Sequence, residues 1–294
     1  MKPLYFQGIG LQPDNILRHT FAEFVANGVT NIAFSDGWCR EILKNPSYIN
    51  QLKKNVADFG INYSAAHGMW GPDYDIALKD PDARKVLIEG HCKMLDILCE
   101  FGIKTYTVHP HYDFDDDKRT DEQHRSNCID TIEKMLPHAE KSRIVIAVEN
   151  NFTPPCTAER VVDLCKYFNS PWVAANYDTG HAHILDPSPA DKKFSDISPL
   201  PHWKMYPQEF QQHQLEEMLP YIVTCHIHDN DGLIDSHLPL GEGNIDWPYV
   251  MKTLAKAPRL IEYQSEISII NAGRSIRKII ESFSPAFLAE GKLA

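Results

Sequence analysis

The sequence lacks an apolar run long enough to cross a lipid bilayer, and its first residues lack the apolar core and cleavage site of a secretory signal. Its seven cysteines are an odd number and include no CxxC pair, so they fit a reduced cytosol better than a disulfide framework. Low-complexity tracts and short repeats are also missing. We therefore expect a protein of the cytoplasm.

Positive charge is scarce, since 29 Lys and Arg residues stand against 40 Asp and Glu residues and the formal net charge is -11. This balance argues against a general nucleic-acid or anionic-membrane surface, but it does not exclude a phosphorylated small molecule. The hydrophobic fraction of 43% supplies a large core. A length of 294 residues suits one α/β barrel, so we expect a single domain over residues 1–294.

Short β-rich runs alternate with longer amphipathic segments, the pattern of repeated βα units and a parallel sheet. The predicted strands are Leu4–Gly8, Asn31–Ser35, Asn62–Ala66, Lys104–His109, Arg143–Glu149, Trp172–Asp178, Ile222–His228 and Arg259–Glu266. The predicted helices include Asn15–Asn27, Tyr48–Phe59, Asp121–Lys141, Ala158–Phe168, Gln208–Met218, Trp247–Ala255 and Ala272–Phe283, with one more beginning at Asp80-Pro81. Eight such pairs predict an α/β fold of the (β/α)₈ TIM-barrel type.

One irregular insertion, at about residues 185–207, carries five prolines and has little helical or strand periodicity. We expect it to form a long loop over one face of the barrel. Two functional interpretations are open, a lid over the barrel or a subunit contact in a homo-oligomer, because long ordered loops in compact domains are usually functional. The third interpretation is a surface excursion without function.

The stretch Cys225–Trp247 is rich in side chains that bind metals, with three histidines and five acidic residues around short apolar runs and three glycines. Imidazole and carboxylate together suit divalent ions such as Zn²⁺, Mn²⁺ or Co²⁺. His226 lies where a buried strand ends, which makes it the first candidate ligand. Asp235 and His237 share one side of an extended segment, so they are able to chelate one ion.

Potential ligands also close most of the other predicted strands. They are His67, His109, Glu149, Asp178, His226 and Glu266, and the turn after Asp178 adds His181. Because the C-terminal ends of barrel strands converge on one mouth, these scattered residues are predicted to form one site. Carboxylates buried together repel each other, so the cluster needs a cation. Glu262 has the same strand parity as Glu266 and is the alternative carboxylate of the last strand.

Seven motifs occur in order between His67 and Glu266: AHGMWGP, TVHPH, AVENN, NYDTGHAH, CHIHDND, DSHLPLGEGNIDW and YQSE. With them the chain resembles the xylose isomerase-like barrel superfamily, which contains sugar isomerases and epimerases and the endonuclease IV type of apurinic-site repair enzyme. The resemblance implies one divalent ion (Mn²⁺, Zn²⁺, Co²⁺ or Mg²⁺) held by Glu149, Asp178, His226 and Glu266. A wider set, which adds His67, His109, His181, Asp235 and His237, resembles the positions that hold three zinc ions in the repair enzymes.

The resemblance to the sugar enzymes implies that a carbohydrate, polyol or inosose is isomerised or epimerised through an enediolate. Glu149 and Glu266 would then move the proton, and His181 would steady a substrate oxygen. Trp70 resembles an aromatic residue that packs on the substrate, and His111 is a candidate substrate contact. His111, His183 and His228 each lie two residues from a proposed ligand, where they either support that ligand, contact substrate or sit in a solvated loop.

Three classes of function are open: a sugar isomerase or epimerase, an apurinic-site endonuclease and a protein that binds a sugar. An apurinic duplex needs Lys and Arg around the mouth, whereas the loop Asp113–Asp117 is acidic and only a few cations, among them Arg40 and Lys192, offset it. A small carbohydrate is therefore the expected partner, and DNA is not. Gly232 stands where an arginine usually contacts substrate in ketose 3-epimerases, which argues against 3-epimerisation. The third class is a barrel that binds a sugar without converting it.

Overall fold

The computed structural model describes residues 2–7, 9–74, 76–110, 120–151, 153–188, 192–197, 209–267, 269 and 275–289. Its strands are β1 (Leu4–Phe6), β2 (Ala65–His67), β3 (Thr105–Val108), β4 (Val145–Glu149), β5 (Val173–Asp178), β6 (Ile222–Ile227) and β7 (Glu262–Ser265). All neighbouring pairs are parallel, and the order is β1-β7-β6-β5-β4-β3-β2. The predicted barrel architecture is confirmed.

Residues 31–34 fill the gap between β1 and β2, where an eighth strand was expected. Parallel bridges join Phe6 to Ile32 and Phe34 to Ala66. The prediction of a regular strand over Asn31–Ser35 was wrong in extent, because the chain turns at Ser35, whose hydroxyl accepts a hydrogen bond from the Gly37 amide and caps the next helix.

Ten α-helices lie within the described ranges. They are α1 (Asp14–Ala26), α2 (Asp36–Lys44), α3 (Tyr48–Phe59), α4 (Pro81–Leu98), α5 (Asp121–Ser142), α6 (Ala158–Phe168), α7 (Thr179–Leu185), α8 (Gln214–Met218), α9 (Trp247–Leu254) and α10 (Ile276–Ala289). Short 3₁₀ turns occupy Cys99–Phe101, Pro154–Cys156 and Phe194–Asp196. Among the described helices, none has both the length and the apolarity needed to cross a bilayer.

Local sequence explains most helix boundaries. α4 begins where the Asp80 carboxylate accepts a hydrogen bond from the Ala83 amide, and α5 begins with a capping box between Thr120 and Gln123. α3 and α6 coincide with their predicted ranges, whereas α2 and α7 were not predicted. α8 begins six residues later than expected, just after His213, whose φ of 61° is outside the helical range.

Alternation along β4 and β5 separates the barrel interior from the helical layer. Small apolar side chains such as Val145, Ala147 and Ala174 form a cluster distinct from the main core, whereas Ile146 and Val148 belong to the main core beneath the helices. Side chains two residues apart on a strand point the same way. The carboxylate that ends β4 therefore faces the interior at the C-terminal mouth.

Candidate metal and substrate site

Four of the predicted ligands meet at this mouth: Glu149 ends β4, Asp178 ends β5, His226 lies on β6 and Glu266 directly follows β7. One donor atom from each lies within 4.8 Å of the others. The Nδ1 atom of His226 is 3.2 Å from Oε2 of Glu149, 3.0 Å from Oε2 of Glu266 and 3.7 Å from Oδ2 of Asp178. Strand register contributes to this arrangement, since Asp178 pairs with His226 across β5 and β6.

Several polar atoms of this group are buried without a hydrogen bond. Nδ1 of His226, Oε1 of Glu149 and Oε2 of Glu266 are near oppositely charged or polar atoms but have no hydrogen-bond partner. A buried polar atom is normally paired, so a shared space bordered by such atoms is suited to a cation. Three carboxylates and an imidazole form a donor set that Mn²⁺, Mg²⁺, Co²⁺ or Zn²⁺ accepts. The residues present fit a divalent ion.

The electrostatics of the group also favour positive charge. Burial alone would raise the pKa of Glu149, but His226 and His109 hold that pKa well below its ordinary range. Burial would likewise lower the pKa of His226, yet the carboxylates of Glu149 and Glu266 hold it well above its ordinary range. The carboxylates therefore attract a positive charge at this position, which either protons or a metal ion can supply.

Two further histidines line the side of the site nearest β2 and β3. Nε2 of His109 lies 3.2 Å from Oε2 of Glu149, and Nε2 of His67 lies 3.9 Å from the same oxygen. The ring of His67 is stacked on that of His226, with centroids 5.5 Å apart. Burial, reinforced by the neighbouring His109, lowers the pKa of His67. Glu149 is thus flanked by histidines on both sides.

His181 lies in the first turn of α7. From the sequence, only a turn after Asp178 was expected here, and not a helix. The Asp178 side chain caps this helix by accepting a hydrogen bond of 2.7 Å from the His181 amide. Nδ1 of His181 lies 3.2 Å from Oε1 of Glu149, and Nε2 lies 3.4 Å from Oδ2 of Asp235. His181 therefore links the four-residue group to the predicted pair on the following loop.

That pair, Asp235 and His237, is brought to the same mouth. Nε2 of His237 lies 3.2 Å from Oδ2 of Asp235, and its Nδ1 lies 2.7 Å from the carbonyl oxygen of Glu266. His237 has a φ of 45°, which is uncommon for a residue with a side chain. Asp235 and His237 were expected to share one side of an extended segment. The left-handed backbone of His237 departs from that extended conformation.

The sequence left the role of His228 open. The structure shows which residues its side chain contacts. Its side chain is fully buried, and its Nε2 lies 3.1 Å from both carboxylate oxygens of Asp178. Its ring is stacked on that of His237, with centroids 4.0 Å apart and planes within 8°. His183, by contrast, lies apart from the cluster, with its Nε2 2.5 Å from Oδ1 of Asn244.

Trp70 borders the histidines of the site. Its ring centroid lies 6.5 Å from that of His67 and 6.0 Å from that of His109, and its carbonyl oxygen accepts a hydrogen bond from Arg40. The indole is thus within reach of a molecule bound beside the ligands. The other candidate substrate contact, His111, and the acidic loop Asp113–Asp117 lie outside the described residues.

Two further sequence interpretations concern groups away from the cluster. Glu262 is buried below the mouth, where Thr105 and Ser64 donate hydrogen bonds to its carboxylate, so Glu266 is the last-strand carboxylate beside His226.

Lys192 does not place its charge at the mouth, contrary to the expectation from the sequence. Its largely buried ammonium donates to the backbone carbonyls of His183 and Ile184 in the last turn of α7 and of Asp186 just after it, where a helix leaves carbonyls that need donors from outside. Only residues 185–188 and 192–197 of the Pro-rich insertion are described.

Comparison with known proteins identifies the family. Residues 22–283 match the family model described as xylose isomerase-like TIM barrel. The chain belongs to the xylose isomerase-like TIM barrel family. The resemblance drawn from the seven motifs is therefore confirmed. A curated relative of this barrel, an uncharacterised protein of Methanocaldococcus jannaschii, is 27% identical over 214 residues. That match covers 71% of this chain but only 64% of the relative, so the chain spans less than two thirds of the relative's length.

Solved xylose isomerase-like barrels share the fold over nearly the whole chain. A D-tagatose 3-epimerase-like protein superposes with a TM-score of 0.73 at 18% identity and covers 99% of this chain and 98% of its own. A magnesium complex from Mycobacterium smegmatis gives 0.72 at 14% identity, covering 100% and 98%. The 3-keto-D-glucoside 4-epimerase of E. coli gives 0.70 at 14% identity, covering 98% and 100%. At these identities the likeness shows the fold.

Proposed function

We propose that this protein is a divalent-metal-dependent isomerase or epimerase of a sugar, or of a sugar-like polyol or inosose. The observation that carries the proposal is the placement of two carboxylates, the buried Glu149 and the partly exposed Glu266, on either side of His226. They come from β4 and from the end of β7, with β5 and β6 between them. Two carboxylates around one bound substrate suit the removal and return of a proton.

Glu149, Asp178, His226 and Glu266 would hold the ion, and their converging unpaired atoms support this assignment. A bound divalent ion supplies Lewis-acid polarisation of the carbonyl and hydroxyl oxygens of the substrate. The site is closed on most sides by buried side chains, which strengthens every electrostatic interaction inside it.

The protein's own groups then carry the proton. One carboxylate, Glu149 or Glu266, takes the proton from the carbon beside the carbonyl, and the electron pair of that C–H bond moves toward the carbonyl oxygen. The other carboxylate returns a proton to the opposite face of the same carbon, which gives an epimer. If it instead returns the proton to the former carbonyl carbon, the hydroxyl proton of the first carbon passes to the former carbonyl oxygen, and the product is an isomer. His181 would steady a substrate oxygen, and the Trp70 indole would pack on the carbon skeleton.

The structural neighbours support a carbohydrate substrate, since they include a D-tagatose 3-epimerase-like protein, a 3-keto-D-glucoside 4-epimerase and a D-psicose 3-epimerase. Gly232, which occupies the position of a substrate-contacting arginine in ketose 3-epimerases, argues against 3-epimerisation. Its φ is 80°, and a Cβ there would lie 3.3 Å from both His183 and Lys192, so this position has little room for an arginine. The proposed reaction is therefore an isomerisation or an epimerisation, and the conversion assay identifies the carbon at which the substrate changes.

The experiment is a conversion assay on protein stripped with a chelator and reloaded with Mn²⁺, Mg²⁺, Co²⁺ or Zn²⁺ in turn. Ketoses, aldoses and inosose-like compounds are incubated and separated by chromatography. We expect interconversion of at least one pair after reloading and none in the stripped protein. Absence of conversion under every metal, with the protein folded and metal-loaded, would contradict the proposal.

A second candidate, an endonuclease of the apurinic-site type, is favoured by one observation. Five further residues lie beside the four-residue group, so all nine positions that resemble the three-zinc site of such enzymes come together: His67, His109, His181, Asp235 and His237 are the added ones. Metal analysis of the purified protein separates the two candidates. About one ion per chain supports the sugar enzyme, and about three ions together with nicking of an apurinic duplex support the endonuclease.

A further inference from the structure

We infer that His228 is a positioning residue of the metal centre, which orients the Asp178 carboxylate toward the ion and fixes the ring plane of His237. The inference rests on the proposed metal site. His228 is not itself one of the four converging ligands, and the sequence leaves open whether it supports a ligand, contacts substrate or lies in a solvated loop. Its position on the chain, two residues after His226, makes both imidazoles face the mouth.

The first contact runs to Asp178. Nε2 of His228 lies 3.1 Å from each of the two carboxylate oxygens, so its N–H is shared between them. The Oδ1 atom also accepts the amide hydrogen of His181 as the cap of α7. Asp178 is therefore held from two directions, with its Oδ2 3.7 Å from Nδ1 of His226. Hydrogen bonds of this kind orient metal ligands and commonly change metal affinity 10–100-fold when removed.

The second contact runs to His237. The two rings are nearly parallel at 4.0 Å, and His237 is fixed at its other end by the Glu266 carbonyl and the Asp235 carboxylate. Because His237 has a φ of 45°, its backbone is in a region where a residue with a side chain needs support. His228 thus joins the inner ligand Asp178 to the outer pair through one rigid ring.

The turn after β5 is shaped around the same ring. A Cβ on Gly180 would lie 2.0 Å from Cε1 of His228, so the glycine leaves the space that the imidazole fills. The hydroxyl of Thr179 donates to the carbonyl oxygens of His226 and His228, and it accepts a hydrogen bond from the His228 amide. These contacts hold the ring from its own backbone as well as from its neighbours.

A pair of substitutions separates the two contacts. His228→Gln keeps an N–H donor at about the place of Nε2 but loses the flat ring, whereas His228→Phe keeps a ring against His237 but loses the donor to Asp178. His228→Leu fills less space and carries the same prediction as the phenylalanine variant, should that variant not fold. The matched control is His138→Phe, which removes a histidine from a carboxylate, Asp96, on the outside of the barrel.

The measurement is titration of the metal-free proteins with Co²⁺ alone, followed by visible absorption, beside thermal unfolding in a chelator. We expect His228→Phe to raise the Co²⁺ dissociation constant about 10–100-fold and to change the Co²⁺ absorption band. His228→Gln should restore affinity to within a few-fold of the wild type, and His138→Phe should leave it unchanged.

Unchanged Co²⁺ affinity and spectrum in His228→Phe, with only a lower unfolding temperature, would overturn the inference and leave a packing role. Equal loss of affinity in His228→Phe and His228→Gln would also overturn it, since the shared N–H would then not be the feature that matters. Co²⁺ binding needs no turnover. A wild-type protein that binds Co²⁺ but converts no sugar would therefore contradict the proposed function, while the comparison of Co²⁺ affinities would still test the role of His228.

Discussion

Nδ1 of His226 lies 3.0 Å from Oε2 of Glu266, yet no hydrogen bond joins the two atoms. A carboxylate oxygen of Glu149 lies 3.2 Å from the same nitrogen. The imidazole is fully buried between two acidic groups from different strands. Such a group of charges is unfavourable in a protein interior unless a positive charge is shared among its members. A bound divalent ion would supply that positive charge.

Replacing Glu149 by Gln should remove both metal affinity and turnover, because the same carboxylate is proposed as ligand and as proton acceptor. We expect at least a 100-fold loss in kcat/KM and a weaker Co²⁺ complex by titration. The control is Glu133→Gln on α5, where an exposed carboxylate accepts a hydrogen bond from Tyr167. Full activity in the Glu149 variant would remove this residue from the mechanism.

Replacing Gly180 by Ala should disturb the site through His228, since the new Cβ would meet Cε1 of that ring at 2.0 Å. Overpacking of this kind costs about 1–3 kcal/mol, measurable as a lower urea midpoint, and the displaced ring should also weaken Co²⁺ binding. Gly10→Ala is the control, because nothing lies within 4 Å of a Cβ at that position. Equal stability of the two variants would show that the turn tolerates a side chain.

Asp229 stabilises the loop that carries Asp235 and His237. Its buried carboxylate accepts hydrogen bonds from the amides of Asn230, Gly241 and Ile245 and from the Trp247 indole. Asp229→Asn replaces an acceptor oxygen by a donor and should cost about 1–3 kcal/mol.

Hydrogen–deuterium exchange is the measurement for that variant, and it should show faster exchange confined to residues 229–247. The control is Asp246→Asn at the exposed start of α9, where a single amide is capped. Exchange that accelerates evenly across the barrel in Asp229→Asn would contradict a local role.

Glu262 predicts a pH dependence of stability. Burial raises the pKa of its carboxyl from 4.5 to about 7, although hydrogen bonds from Thr105, Ser64 and Thr224 oppose the shift. Between these two pH values the unfolded chain has lost the proton and the folded chain keeps it, so stability falls as pH rises from about 4.5 to about 7.

Glu262→Gln should remove this fall and stabilise the protein at pH 8 by up to about 3 kcal/mol relative to wild type. Urea denaturation at pH 5 and pH 8 in a chelator measures the difference. The nearby Lys104 ammonium also lowers the same pKa. A variant whose stability changes with pH as steeply as that of the wild type would assign the slope to other groups.

The sequence was sufficient for the barrel and for the residues that meet at its mouth, because both follow from strand periodicity and from the parallel direction of the strands. Asp178 and His226 are 48 positions apart, yet they are register partners. The N-cap signal of Asp178, an acidic residue three positions before His181, would also have predicted α7.

Other features depend on conformations and packing that a single sequence does not display. The left-handed φ of His237 is uncommon for any residue other than glycine. The stack of His237 on His228 depends on that φ and on the space left by Gly180, which lies in a different motif. The burial of Lys192 likewise depends on the carbonyl oxygens at the end of a helix that was not predicted, among them that of Ile184.

The most direct test of the proposed function is solvent exchange. The metal-loaded protein is incubated in D₂O with the ketoses, aldoses and inosose-like compounds, and each sugar is recovered for mass spectrometry and NMR. We predict that deuterium enters the carbon beside the carbonyl of at least one compound, and that a chelator or Glu149→Gln abolishes the exchange. Efficient metal-dependent nicking of an apurinic duplex, with no deuterium in any sugar, would contradict it.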